Sequence, residues 1–220
     1  MNISRIKDTK VFRGMSEEEV LTAFDKLHAI AKNYKKETTI LHAGSTTDRM
    51  GLVLEGSVTI EIYDGWGNKT ILSHVGENQV FAETYGLLSD SPMLVDVVAN
   101  EDCRILFLRI GLLRRGFAKQ APWTFKLISN LLAISAYKNL ALLERSFHTA
   151  PKTIRGRVSL YLKNMSLQRD QAEFDIPFDR QQMADYLNLE RTALSKELRK
   201  MKDDGLIEYH KNHFVLKICT

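Results

Sequence analysis

The sequence predicts an α+β protein with an antiparallel barrel or jelly roll first, one long helix next and a winged helix-turn-helix domain last. Three observations predict it. Short alternating strands with turn residues between them occupy Thr38 to about Leu108. Pro122 to Phe147 runs about 26 residues without an internal Gly or Pro, and Asp179 to Ile207 reads as two capped helices joined by a tight turn. The matching division of the chain is 1–121, 122–148 and 149–220.

At the front, Ser16-Glu17-Glu18-Glu19 is a capping box, predicting a helix that ends near Ala31. The strand series follows as TTILHAG, MGLVLEGSVTIEIYDGWGNKTILSHVG and VDVVANEDCRILFLR. Gly44, Gly51, Gly56, Gly65, Gly67 and Gly76 recur at spacings suited to antiparallel hairpins, with Gly65-Trp66-Gly67-Asn68 as one turn. Barrels of this kind enclose ligands, which is an expectation from fold alone.

The middle segment would extend about 39 Å as a helix at 1.5 Å per residue. Its apolar residues Phe125, Leu127, Ile128, Leu131, Leu132, Ile134, Tyr137, Leu140, Leu142 and Leu143 cover more than one stripe. Two apolar faces require two partners, predicted to be the chain's own barrel and the same helix of a second subunit. The alternative is burial wholly within one chain. Leu131 is expected in the subunit seam, and Thr149-Ala150-Pro151 breaks the helix and makes a hinge.

In the last segment Asp179 is an N-cap, with Gln182 closing a capping box and Met183, Ala184 and Leu187 marking a buried stripe. After the turn at Asn188-Leu189 a second helix is predicted from about Glu190 to Asp204, stopped by Gly205. At 100° per residue Leu194, Leu198 and Met201 share one side, while Arg191, Thr192, Ser195, Lys196 and Arg199 lie on another. That outer side suits a DNA major groove: Arg and Lys donate to guanine, and Ser and Thr bond bases or phosphates. LIEYHKNHFVLKI, Leu206 to Ile218, then predicts a two-stranded wing whose tip offers Lys211 to a phosphate. A solvated amphipathic helix pair is the plainer alternative, but capping, turn and wing occur together.

Composition limits the rest. Two cysteines, Cys103 and Cys219, in 220 residues exclude a disulfide framework and an iron–sulfur cluster held by four thiolates of one chain. No apolar run spans a membrane and MNISRIKDTK lacks the apolar core of a signal peptide, so a cytoplasmic protein without membrane partners is expected. Net charge is +4, and the last 70 residues hold 13 basic against 10 acidic side chains, a small excess in the segment read as DNA-binding.

Barrel, long helix, hinge, helix-turn-helix and wing, in that order, resemble the CRP/FNR family of transcription regulators along nearly the whole chain. The resemblance is carried by Gly51 to Leu72, VFAETYGLL (Val80 to Leu88), TIRGRVSLYL (Thr153 to Leu162) and the reading head with its wing. It implies a cyclic-nucleotide-binding-type β-roll that senses an effector, a homodimer formed by the long helix, binding to a palindromic DNA operator, and RNA polymerase as a partner for an activator. Arg191, Thr192, Ser195 and Lys196 match the family's base-reading and phosphate-contacting positions, with Arg191 the first choice for guanine.

The cassette from Val80 through Val97 departs from the members that bind cyclic AMP. Glu83 stands in the Glu position, but Ala82 replaces the Gly, Met93 the Arg and Leu94 the Ser or Thr. An apolar pair there leaves a buried phosphate without charge compensation, so cyclic AMP is not the expected effector. Met93 and Leu94 either line a less polar pocket, suited to an uncharged or amphipathic small molecule, or complete the barrel core. Arg49 and Arg104 are the cations that could otherwise meet a phosphate. No metal or other cofactor is expected: His28, His42, His74 and His148 lack the company of further ligands, and His210 and His213 flank the wing tip. No nucleophile–base pair suggests an enzyme. The competing reading is a metabolite-sensing β-roll that acts through a protein partner without productive DNA binding.

Overall fold

A computed structural model describes residues 3–63, 65–66, 69–115 and 121–217. Gly67 and Asn68 of the expected hairpin turn, and Cys219, lie outside the described residues. The chain forms two compact units, Met1–Ala136 and Tyr137–Thr220.

The first unit opens with helix α1 (Ile3–Lys7), a 3-10 turn (Lys10–Phe12) and helix α2 (Glu17–Lys26). The Ser16–Glu19 capping box is present in both directions. The helix does not reach Ala31. His28 adopts φ +49°, and the Ala29 amide donates back to the Phe24 carbonyl, a left-handed closure that ends the helix five residues early. Ile30–Tyr34 is instead strand β1, which the sequence reading missed. Its side chains are mostly exposed, so pairing with a distant strand holds it in place.

Ten further strands follow among the described residues. β2 (Thr39–Leu41), β3 (Met50–Glu55), β4 (Val58–Tyr63), β5 (Lys69–Val75), β6 (Val80–Phe81), β7 (Asp96–Ala99) and β8 (Cys103–Leu108) belong to the first unit, and helix α3 (Glu83–Leu88) follows β6. They form two antiparallel sheets, ordered β1-β8-β3-β6 and β2-β7-β4-β5, as the jelly-roll reading requires. Alternation along β8 divides the cores. Cys103, Ile105 and Phe107 face Val53, Val58, Met93 and Val97 inside the roll, while Leu106 and Leu108 face α2 and the start of the long helix. Inside the roll Phe107 meets Phe81 and Tyr34 edge-on, at 6.2 and 6.3 Å between ring centres. The Phe81 ring lies over Gly51, where an added Cβ would stand 2.2 Å from it.

Helix α4 (Pro122–Thr149) is continuous. In the first unit Trp123, Leu127 and Leu131, four residues apart, pack into the same core as α2. Leu131 is 2% exposed there, so it belongs to the chain's own core and not to the expected subunit seam. Phe125, Ile128 and Leu132 lie outward, with Leu132 70% exposed.

In the second unit α4 ends at Thr149, and Thr153 caps α5 (Ile154–Arg169). β9 (Glu173–Asp175), α6 (Arg180–Tyr186), α7 (Arg191–Asp203), β10 (Ile207–His210) and β11 (His213–Leu216) follow. The wing is three-stranded, ordered β10-β11-β9, because the short β9 joins the two expected strands. Val158, Tyr161, Leu162, Met183, Leu194, Leu198 and Phe214 make this unit's core.

Candidate nucleic-acid interface and the roll interior

The reading head is set by its caps. Asp179 and Gln182 form the reciprocal box that starts α6, and Asn188 at φ +53° allows the chain to turn immediately after it. Glu190 caps α7 by accepting from the Ala193 amide at 2.9 Å. At the other end Gly205 takes φ +73° and the Leu206 amide donates to the Met201 carbonyl. Leu194, Leu198 and Met201 are fully buried, which turns Arg191, Thr192, Ser195, Lys196 and Arg199 outward as expected from the spacing.

These five are not equivalent. Arg191, Lys196 and Arg199 are exposed and take part in no ion pair among the described residues. Thr192 donates its hydroxyl to the Glu190 carboxylate, and Ser195 donates to the Arg191 carbonyl at 2.9 Å. The two hydroxyls are thus engaged within the helix, leaving three cations as the unpaired chemistry of the face. Glu190 was not singled out from sequence. Its carboxylate is held ionised below the usual range by Thr192, by the Thr192 and Ala193 amides and by nearby Lys196.

Neighbouring cations are already used. Arg155 bridges Glu197 at 2.6 Å and Asp204 at 2.7 Å, and Lys202 pairs with Glu208 at 2.8 Å. Arg145 donates to the carbonyls of Tyr186 and Asp185 at 3.0 and 2.8 Å, while Arg157 donates to those of Leu187, Asn188 and Pro151. Two guanidiniums therefore bond the carbonyls at the end of α6 and brace the turn into α7. The break at Thr149-Ala150-Pro151 is braced by the Arg157 bond to Pro151. No local sequence pattern marks the contacts of Arg145 and Arg157 with the end of α6, since they join residues about 30 to 40 positions apart.

At the wing Lys211 takes φ +54° at the turn between β10 and β11 and is exposed, while its carbonyl accepts from Arg180 at 3.1 Å. His213 is not free for a phosphate: its ring nitrogens lie 2.9 Å from Asp175 and 3.2 Å from Glu173 on β9. Those carboxylates, Asp175 foremost, raise its pKa.

In the first unit Ala82 caps α3 in the left-handed region, φ +58° and ψ +16°, and Glu83 is buried behind it. Met93 is 2% exposed and joins the roll core with Ala82, whereas Leu94 is 79% exposed, its amide donating to the Tyr85 hydroxyl. Ala82 and Met93 thus come together, and Leu94 does not join them. Arg49 lies 3.9 Å from Asp48, and Arg104 lies 3.7 Å from Glu55. Cys103 is buried, and burial raises its thiol pKa, with Glu101 and Asp102 adding to the effect. Among the described residues no cluster of His, Cys, Asp or Glu could hold a metal ion, and no helix is long and apolar enough to cross a membrane.

Residues 31–120 match the cyclic nucleotide-binding domain family and residues 156–219 the Crp-like helix-turn-helix domain family. The chain is 22% identical over 192 residues to the cAMP-activated global transcriptional regulator CRP of Salmonella typhimurium, covering 83% of this chain and 87% of that protein. It is 24% identical over 202 residues to the cAMP-activated global transcriptional regulator Vfr of Pseudomonas aeruginosa, covering 85% and 90%. Among solved structures, the c-di-GMP responsive global regulator CLP of Xanthomonas campestris superposes with a TM-score of 0.61 at 17% identity, covering 93% of this chain and all of that one.

Proposed function

The chain belongs to the CRP/FNR family of transcription regulators, and we propose that it works as a homodimer that binds a palindromic operator. The observation that carries the reading is the outward triad Arg191, Lys196 and Arg199 on α7, in no ion pair among the described residues, whereas Arg155 and Lys202 beside it are bridged to carboxylates. Desolvating such a face against guanine edges and phosphates supplies both choice and affinity, whereas in solution it gains nothing. Glu190, ionised at the start of the same helix, is an acceptor suited to a cytosine amino group. Lys211 reaches the backbone from the wing.

The exposed apolar face of α4, from Phe125 and Leu132 to Leu140, Leu143 and Phe147, supports self-association through this helix. Two reading heads then have to lie about 34 Å apart, one turn of DNA. The first unit, together with the start of α4, serves as sensor, and the second carries the reading head. As an activator the dimer would work with RNA polymerase in the cytoplasm. It regulates and does not catalyse.

Cyclic AMP does not fit this roll. Position 93 supplies a buried thioether where a phosphate needs a cation, and position 94 lies in solvent. An effector of this interior is uncharged or amphipathic. Selection of duplex DNA from a random pool by the purified protein tests the proposal. A palindromic consensus bound by a dimer is expected, and recovery of unenriched sequence would refute it.

A further inference from the structure

The chain from Ile6 to Met15 is wound by successive three-residue turns. The Thr9 amide donates to Ile6, Phe12 to Thr9 and Met15 to Phe12, at 3.0, 3.1 and 3.1 Å, and the Thr9 hydroxyl adds a second bond to Ile6 at 2.7 Å. Ile6, Thr9, Phe12 and Met15 are accordingly all buried. The same period brings the residues one place later, Lys7, Lys10 and Arg13, to one side of the segment. There they line a cleft of about 740 Å³ with Asp8, Gly14, Met15, Ser16 and Lys126 of α4.

The electrostatics of this cleft are one-sided. Lys7, Lys10 and Arg13 take part in no ion pair among the described residues. Lys126, on the facing wall, is held by both carboxylate oxygens of Glu19 at 2.7 and 2.8 Å. With Asp8 and Glu19 set against them, the four cations still leave the lining positive. Like charges gathered around a concave surface reinforce one another's field there, and the arrangement gains when an anion neutralises it. The volume is that of a small-molecule site. No strand of the β-roll contributes to it. Asn130 of α4 donates to the carbonyls of Val11 and Arg13 at 3.0 and 2.9 Å, so the cleft wall is fastened to the helix that carries the exposed apolar face.

We propose that this cleft is a binding site for a small polyanion carrying several linked phosphates, separate from the roll interior. Three unpaired cations spaced along one wall match a chain of phosphates better than a single one, and Lys126 closes the opposite side. The site stands on its own geometry and does not depend on the DNA-binding reading.

Calorimetry on the full chain at about 150 mM salt, with inorganic tripolyphosphate and orthophosphate as probes, tests it. Tripolyphosphate is expected to bind saturably below about 1 mM and at least about tenfold more tightly than orthophosphate. Lys10→Glu with Arg13→Glu should abolish that binding, and the milder Lys7→Gln with Lys10→Gln should weaken it several-fold with the melting temperature unchanged. Arg191→Ala with Lys196→Ala should leave it intact. Absence of heat with the wild-type chain at millimolar probe, or equal affinity for orthophosphate, overturns the proposal. Binding lost only in the Arg191/Lys196 variant overturns it in favour of the reading head. Binding of mixed-sequence duplex DNA that is lost on charge reversal at Lys10 and Arg13 would assign the cleft to nucleic acid instead.

Discussion

The imidazole Nδ1 of His148 lies 2.9 Å from the hydroxyl oxygen of Tyr186, joining the last turn of α4 to the last residue of α6. Asn164 of α5 meets the other ring nitrogen at 2.9 Å through its amide nitrogen. With Asn164 donating to Nε2, the ring is neutral and carries its proton on Nδ1. Tyr161 and Tyr186 flank the ring, and Glu144 is the charged group near it. Burial lowers the His148 pKa below 6.5, partly opposed by Glu144.

A lowered histidine pKa gives stability that is fully present above the unfolded value near 6.5 and is lost as pH falls through it. His213 has the opposite sign, because its raised pKa gives stability present below 6.5 and lost as pH rises through the folded value. Urea melts between pH 5.5 and 8 separate the two. His148→Gln should flatten the acid-side loss, and His213→Gln the loss on the alkaline side. Unchanged slopes in either variant would remove that histidine from the account.

Ala82 holds a left-handed backbone that L side chains avoid by roughly 1 kcal/mol. Ala82→Gly should therefore raise the stability of the first unit by up to about 1 kcal/mol, the gain being reduced by the freer unfolded chain. A drop in the urea midpoint would show that the Ala82 methyl group packs more productively than its backbone is strained.

The Tyr161 hydroxyl is buried and has no hydrogen-bond partner among the described residues. Its pKa is driven well above the usual range, first by burial and then by Tyr186. Removing an unsatisfied buried hydroxyl is neutral or stabilising, so Tyr161→Phe should change stability by 0 to about +1 kcal/mol, against the loss usual for core changes. A loss above about 1 kcal/mol would mean that the hydroxyl has a partner in solution.

Adjacent residues on α4 should behave oppositely. Leu131→Ala is expected to cost about 2–5 kcal/mol of folding stability, since Leu131 is 2% exposed in its own core. Leu132→Glu should leave folding near wild type and convert the proposed dimer to monomer in sedimentation at micromolar concentration. A dimer that survives Leu132→Glu moves the seam elsewhere.

On DNA, Arg191→Ala should reduce preference for the selected site over scrambled duplex by about 10- to 100-fold. Lys211→Ala should weaken both duplexes alike and lower the salt slope by about one. Competition titrations at three salt concentrations distinguish these outcomes, and an unaltered preference in Arg191→Ala would withdraw its base contact.

The elements legible in the sequence are those whose determinants are local. Ser16 with Glu19, Asp179 with Gln182, and Gly205 each act within one helical turn, so the ends of α2, α6 and α7 that they set could be read directly. β1 and β9 could not. Ile30–Tyr34 shows no useful alternation and Glu173–Asp175 is three residues long, so both exist through pairing with strands far along the chain. The early end of α2 depends on His28 taking a conformation that propensity disfavours. The outward residues of α7 followed from periodicity, whereas the engagement of Thr192 and Ser195 by their own helix depends on side-chain rotamers, and the bracing of α6 by Arg145 and Arg157 on contacts far along the chain, neither of which spacing fixes. Two apolar faces on α4 were visible, but assigning Leu131 and Leu132 to them was not, because a helix of this length drifts relative to any fixed repeat.

Gly51 and Phe81 share one volume inside the roll, the ring of one occupying the place where a side chain of the other would begin. The two positions are therefore coupled sterically. A methyl group at 51 is tolerable only alongside a smaller residue at 81, and Phe81→Ala alone leaves a ring-shaped void bounded by Phe107 and Gly51. In a laboratory lineage the order of the two changes matters: shrinking 81 first keeps every intermediate foldable, while enlarging 51 first meets a dead end. The same void gives a protein engineer an aromatic-sized entry point for a chosen apolar inducer.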